Sequence, residues 1–205
     1  SGLLGSRYYA NHPVRPLEQT VAVINMDALP AQGRARDMGV VGRGQSELED
    51  LLADVVAVQG RVIGPEESPE KGYYFRSDHF NFARVGVPAL YAKGGNDLVE
   101  GGVEAGMAAA NDFTTNRYHK TGDEFDPAWN LEGTVQDIDA LYEVGRRIAA
   151  GDSWPQWKPE SEFRAAGEAL RKDSATRAPW AILRAYRAQS ALLQSRLCRS
   201  ALCAR

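Results

Sequence analysis

Cysteine is scarce in this sequence of 205 residues, and the two that occur, Cys198 and Cys203, lie near its C-terminal end. These two cysteines could close a small loop, but the body of the chain contains no cysteine, so disulfides do not hold the fold together. No apolar run approaches the roughly 18 residues that a membrane-spanning helix needs. With 43% hydrophobic and 25% charged residues, the composition is that of an ordinary globular domain.

The sequence also lacks an initiator Met and a recognisable leader, since Ser1-Gly2-Leu3-Leu4-Gly5 has neither a basic region nor a long apolar one. We therefore expect the chain to begin inside a longer protein. Several motifs are missing as well: there is no HExxH, no CxxC pair, no GxSxG and no phosphate-binding loop. None of these motifs therefore identifies a function.

The net charge of −3 hides an asymmetry. Residues 163–205 contain nine basic and two acidic residues, a charge of +7, which leaves −10 for residues 1–162. An acidic body argues against nucleic acid as its partner. From residue 164 onward Ala, Arg, Leu, Ser and Gln dominate, and apolar residues recur at helical spacing. This segment, 164–205, is interpreted as a basic tail, either amphipathic or disordered, that could meet an anionic membrane surface or a protein partner.

Apolar strands alternate with helical patterns over residues 1–163, which predicts an α/β domain. Thr20–Asp27, Met38–Val41 and Val87–Ala92 have the β-branched, apolar character of buried strands. Leu3–Asn11 is interpreted as the end of a helix. The other predicted helices are Glu47–Val58 with Ser46 as its N-cap, a short one after Ser77-Asp78, and Leu131–Ala150. The Gly/Ala-rich stretch 95–115 is predicted to be an insertion.

Three places in the sequence could carry chemistry: Asp27, Asp78 with its neighbour His79, and His119 with its neighbour Tyr118. Asp27 follows a predicted strand, where catalytic residues of open α/β sheets lie, although it could equally cap a helix or loop. Asp78, next to His79, opens a predicted helix, and its ordinary interpretation is an N-cap beside a surface histidine. His119 lies in a loop before the long helix, with Tyr118 beside it.

A carboxylate and an imidazole are ligands that zinc accepts in catalytic sites. Asp27 and His119 together are therefore a candidate metal-ligand pair, although a zinc site needs three or four ligands. His12, before Pro13, is predicted to be exposed and inert.

The order of four segments resembles the co-catalytic di-zinc aminopeptidases, the family of bacterial leucyl aminopeptidases, glutamate carboxypeptidase-like proteins and glutaminyl cyclases. The matching segments are Gly2–Tyr9, Ile24-Asn25-Met26-Asp27, Arg76–Leu90 and Tyr118-His119-Lys120-Thr121-Gly122-Asp123. The resemblance covers about residues 1–163 and implies a three-layer α/β/α fold, peptide substrates and two zinc ions. Relatives of this kind are often exported proteins.

The resemblance implies that Asp27 and His119 are zinc ligands, each on a different ion. It also implies that Tyr118 stabilises the tetrahedral intermediate and that Asp78 orders the site beside the substrate. The stretch 94–115 would help to wall the pocket. The family's general-base Glu and its other ligands would precede Ser1, together with the first strands of the sheet. We therefore expect weak zinc affinity and no measurable aminopeptidase activity from this chain alone.

Two other functions remain open at this stage. The same half-fold could serve as a non-catalytic binding module, and glutaminyl cyclisation uses the same kind of scaffold. The Tyr118–Asp123 segment and the Phe125-Asp126-Pro127 that follows it favour the peptidase.

Overall fold

A computed structural model describes residues 2–66 and 68–175, the side chains of 173–175 excepted. Within this part of the chain four strands form one mixed sheet: β1 (Val23–Asn25), β2 (Asp37–Val40), β3 (Val62–Ile63) and β4 (Ala89–Gly94). Their order across the sheet is β1-β4-β2-β3. β1 is parallel to β4 and β2 is parallel to β3, whereas β2 and β4 are antiparallel. The predicted α/β class is confirmed.

Helices surround this sheet, and none in the described part of the chain is both long enough and apolar enough to cross a membrane. The α-helices are α1 (Leu4–Asn11), α2 (Leu48–Val58), α3 (His79–Ala83), α4 (Gly102–Asp112), α5 (Glu132–Ala150) and α6 (Arg164–Ala175). Short 3₁₀ turns occupy Leu17–Gln19, Pro69–Lys71 and Tyr73–Arg76, and a π-helical turn occupies Phe113–Arg117.

The alternation of side chains along β4 divides the core into two clusters on opposite faces of the sheet. Leu90 and Ala92 join the cluster made with α2 and α5, which also contains Met38, Leu52 and Val144. Ala89 joins the other cluster, and Tyr91 packs against it. Its buried members are Val41, Tyr74, Ala83, Ala89, Trp157 and Phe163. Helices on both faces of the sheet give the three layers.

The helical spacing of its apolar residues predicts one stripe on α5, but the helix buries a different one. The predicted stripe consists of Val135, Ile138, Leu141, Tyr142, Val144, Gly145 and Ile148. Leu141 and Val144 are buried as expected, but Val135, Ile138 and Tyr142 are exposed. The buried face is completed by small and polar residues, Gly133, Asp137 and Ala140. Asp137 can lie there because Arg61 pairs with it at 2.7 Å. The positions of the apolar residues alone therefore predicted the wrong face of α5 for its contact with the sheet.

The start of α2 also differs from the prediction, because Ser46 does not cap it. The Ser46 hydroxyl donates instead to the carbonyl of Ala89 at 3.3 Å. The Glu49 carboxylate accepts the backbone N–H groups of Gly44, Gln45 and Ser46, at 2.7 to 3.0 Å. A side chain from the first turn thus supplies the partners that these N–H groups need.

Two further helices lie in the stretch 95–115, which shows no clear helical pattern, and at the start of the predicted tail, where the composition changes. α4 occupies most of the stretch predicted to be a Gly/Ala-rich insertion. α6 covers the first part of the predicted tail and packs on the domain: the Arg171 guanidinium donates to the carbonyls of Glu18 and Thr20 at 2.8 Å. The prediction for residues 176–205 lies outside the described residues.

Candidate metal centre

The candidate centre is built at the end of β1, next to β4. Asn25 pairs with Tyr91 in the parallel register, and Asp27 follows just after the strand, with its side chain exposed. The Asp27 Oδ2 atom accepts a hydrogen bond from the Ser77 hydroxyl at 2.7 Å. The Tyr91 hydroxyl approaches the same oxygen at 3.4 Å, which is long for a hydrogen bond of this type.

Ser77 links this carboxylate to the strand itself. Its hydroxyl accepts a hydrogen bond from the Asn25 side-chain amide at 2.8 Å while it donates to Asp27. The serine is buried, with 3% of its surface exposed, whereas the Asp27 side chain that it holds is exposed. Asn25 and Ser77 therefore fix one oxygen of Asp27 and leave Oδ1 without a hydrogen bond from any described residue.

Asp78 occupies the N-cap position of α3, but its side chain makes no capping hydrogen bond. The carboxylate is exposed at the surface beside this cluster. Its position therefore fits the ordinary interpretation, whereas its side chain does not perform the capping function. Nothing in the geometry assigns it a catalytic role.

His79 is fully buried, so the interpretation of it as a surface histidine is wrong. Its ring meets Tyr74 edge-on, with centroids 4.5 Å apart, and lies 5.0 Å from the Tyr91 ring. Burial lowers the pKa of His79 to about 4, although the nearby carboxylates of Asp27 and Asp78 oppose that shift. The imidazole is consequently neutral near pH 7.

Tyr118 and His119 lie on the loop that follows the π-helical turn. Both side chains are exposed, and their rings are in contact, with centroids 4.2 Å apart. His119 has a φ of +56°, an unusual conformation for a residue other than glycine. The Lys120 ammonium donates to the carbonyl of Thr115 and closes the loop.

The pKa of Tyr91 is influenced both by Asp27 and by the loop residue Tyr118. Burial raises the pKa of Tyr91, the Asp27 carboxylate adds to this, and the phenols of Tyr118 and Tyr73 act in the same direction. Among the described residues, however, no hydrogen bond or ion pair joins Asp27 to His119. Nor does that part of the chain contain a group of three or more His, Cys, Asp or Glu side chains able to hold a metal.

A scan against protein-family models matches Peptidase family M28 over residues 1–142. The chain belongs to peptidase family M28. The resemblance drawn from the order of the sequence segments is thereby confirmed. No curated protein and no solved structure matches the chain.

The M28 match spans β1, α3, β4 and the loop with His119, and so includes every residue predicted for the site. Zinc fits the type of donor found here, because Asp27 offers a free carboxylate oxygen and His119 an exposed imidazole. The number of donors is too small, however, because the two candidate ligands, Asp27 and His119, do not hold a zinc ion by themselves. The site assignment of Asp27, Asp78, Tyr118 and His119 stays a prediction.

Sequence reasoning missed Ser77 and Tyr91 as partners of Asp27, and it misjudged His79. A signal for Tyr91 was present, because parallel strands place the polar residues at their carboxyl ends side by side. Ser77 was predicted only to precede the short helix, whereas its hydroxyl donates to Asp27 at the end of β1. His12 is exposed, as predicted, and stacks on Tyr8.

Proposed function

We propose that this M28 chain contributes Asp27 and His119 to a two-zinc centre for hydrolysis of N-terminal peptide bonds, each residue binding a different ion. The observation that carries the proposal is the carboxylate of Asp27 at the end of β1. One of its oxygens is held by Ser77 and approached by Tyr91, while the other is left open. A metal-ligating carboxylate is typically oriented in this way by its neighbours.

The remaining residues take roles around this centre. Tyr118, half exposed beside His119, stabilises the tetrahedral intermediate through its hydroxyl. Asp78, exposed at the start of α3, orders the site beside the substrate. The stretch 94–115, half of it helix α4, helps to wall the pocket. When bound, zinc supplies polarisation of the scissile carbonyl and acidifies a water molecule.

Zinc binding is the first test. Because the described residues supply no cluster of three ligands, we expect binding far weaker than the roughly 10–16 kcal/mol of four-ligand structural sites. The affinity is measured by competition with a chromogenic chelator. Asp27→Ala and His119→Ala should each weaken it further, whereas the control His12→Ala, at another exposed histidine, should not. Equal binding by all four proteins would refute the assignment.

Turnover is the second test, on aminoacyl-nitroanilide substrates with added zinc. We expect no measurable hydrolysis by this chain alone, because a general base and further ligands are needed for the chemistry. Chelator-sensitive turnover would show that the chain holds a complete centre. If that turnover survived Asp27→Ala, the residue roles proposed above would be wrong.

A second candidate, a non-catalytic binding module, is favoured by one observation: the lack of a three-ligand group among the described residues. The two candidates differ in their response to zinc. A binding module gains no stability from the metal, whereas a zinc ligand pair raises the unfolding midpoint as the concentration of zinc increases.

A further inference from the structure

His79 is a buried polar residue for which packing gives no sufficient reason. None of its surface is exposed, and neither ring nitrogen has a hydrogen-bond partner. A buried polar atom without a partner destabilises a fold, and an apolar side chain of similar volume would avoid that loss. An imidazole at this position therefore calls for a role other than filling space.

The contacts of His79 lead to the candidate centre. Its ring lies against Tyr91, with centroids 5.0 Å apart and planes tilted by 44°. The Tyr91 hydroxyl in turn lies 3.4 Å from Asp27 Oδ2. The ring of His79 thus supports the aromatic side chain whose polar end reaches the carboxylate.

One turn of chain acts on Asp27 in two ways. Ser77 donates directly to Oδ2, and His79, on the other side of Asp78, contacts the tyrosine that approaches the same oxygen. If both hydroxyl groups lie on Oδ2, then Oδ1 is the oxygen that remains for a metal. A shift of the Tyr91 ring would therefore change how strongly Asp27 is held in the orientation that leaves Oδ1 for the metal.

We propose that His79 is a positioning residue that holds the Tyr91 ring so that its hydroxyl faces Asp27 Oδ2. This inference rests on the proposed function, because it takes Asp27 as a zinc ligand. It adds to that function a residue that does not touch Asp27 itself and whose effect reaches that carboxylate through a single side chain, Tyr91.

The test uses the full chain with His79→Leu, Tyr91→Phe and the two changes together. Replacing a residue that supports a metal ligand typically weakens metal binding 10- to 100-fold, and we expect about tenfold for each single change. Because His79 acts through Tyr91, the double variant should bind zinc no more weakly than Tyr91→Phe does. Ser77→Ala, which acts on Asp27 directly, should add its effect to that of His79→Leu.

Stability in the absence of metal separates positioning from packing. His79→Leu should leave the urea midpoint unchanged or raise it, since it removes two unpartnered nitrogens. Tyr74→Phe is the matched control, because the Tyr74 hydroxyl is also buried without a partner and its ring touches the same imidazole. That variant should keep the zinc affinity of the unsubstituted chain.

A readout that needs no zinc is the carboxyl ¹³C resonance of Asp27 in the metal-free protein. His79→Leu should move this resonance in the same direction as Tyr91→Phe. An unmoved resonance with His79→Leu, or additive effects of His79→Leu and Tyr91→Phe on zinc affinity, would overturn the inference. If the unsubstituted chain binds no zinc, the proposed function fails, and the resonance still decides the role of His79.

Discussion

The buried ion pair between Arg61 and Asp137 allows a sharp prediction about stability. The two side chains are only 2% and 1% exposed, and their charged groups lie 2.7 Å apart. Arg61 precedes β3 and Asp137 lies within α5, so the pair joins an edge of the sheet to the helix that covers it. Removing one partner leaves a charge without compensation in the interior.

The magnitude follows from what each change leaves behind. Breaking a buried pair from one side typically costs about 3–5 kcal/mol. For Asp137→Leu we expect a loss of unfolding free energy near the lower end of this range, because Arg61 still donates to the carbonyl of Asp37 at 2.7 Å and to the side chain of Gln59 at 3.2 Å. For Arg61→Met we expect a loss near the upper end of the range, because the carbonyl of Asp37 also loses its donor, which costs about 1 kcal/mol.

The double variant Arg61→Met/Asp137→Leu removes both charges and should lie within about 2 kcal/mol of the unsubstituted chain. The assay is urea unfolding at pH 7, followed by circular dichroism, with the free energy obtained by linear extrapolation. Glu168→Gln is the control, since it breaks the exposed pair with Arg164 and should cause no measurable change. Single variants as stable as the unsubstituted chain, or a double variant whose loss equals the sum of the two, would refute the reasoning.

Two further predictions concern pH and backbone conformation. The pKa of His79 is about 4 in the folded chain and ordinarily 6.5, so between these values the unfolded chain binds more protons. Acidification from pH 6.5 to 4 should therefore lower the free energy of unfolding by up to about 3 kcal/mol. His79→Leu should abolish this pH dependence, measured as the difference between the free energies of unfolding in urea at pH 7.5 and pH 4.5. An equal difference in the variant and in the unsubstituted chain would contradict the prediction. Gly86 has a φ of +93°, and a Cβ there would lie 2.4 Å from the carbonyl oxygen of Ala166 in α6. Gly86→Ala should thus lose clearly more stability than the about 1–2 kcal/mol of left-handed strain alone, whereas Gly44→Ala, with a φ of +98° and open space around it, should lose only the strain. Equal losses in the two alanine variants would show that α6 moves away without cost.

Local pattern was sufficient for the elements whose signal lies within a few residues. The helices ending at Val58 and Ala150 were predicted to within a residue at both ends, because apolar periodicity and a following Gly mark them. For the helix ending at Asn11 the C-terminal end was predicted correctly from the Pro13 that follows it. β1 and β4 were located correctly, although β1 is shorter than its apolar run. The two-residue strand β3 was missed, since it exists only through its pairing with β2.

Long-range contacts decided what local pattern misjudged. The buried face of α5 includes Asp137 because a distant arginine satisfies it, and the sequence around Asp137 contains no sign of that partner. α4 begins in a run of glycines that resembles a loop, with Gly106 packed so closely that a Cβ would lie 2.1 Å from the carbonyl oxygen of Asn96. Each case depends on a contact that the local pattern does not show.

The sequence by itself determined the α/β class, the family through the order of its segments, and the types of donor available, Asp27 and His119. These properties depend on side-chain chemistry and on spacing along the chain, which the sequence states directly. Only the tertiary structure decided that Ser77 and Tyr91 meet at one oxygen of Asp27, and that His79 is buried behind them. Asp27, Ser77 and Tyr91 lie in separate segments of the chain, and only folding of the intervening residues brings the two hydroxyl groups to the carboxylate.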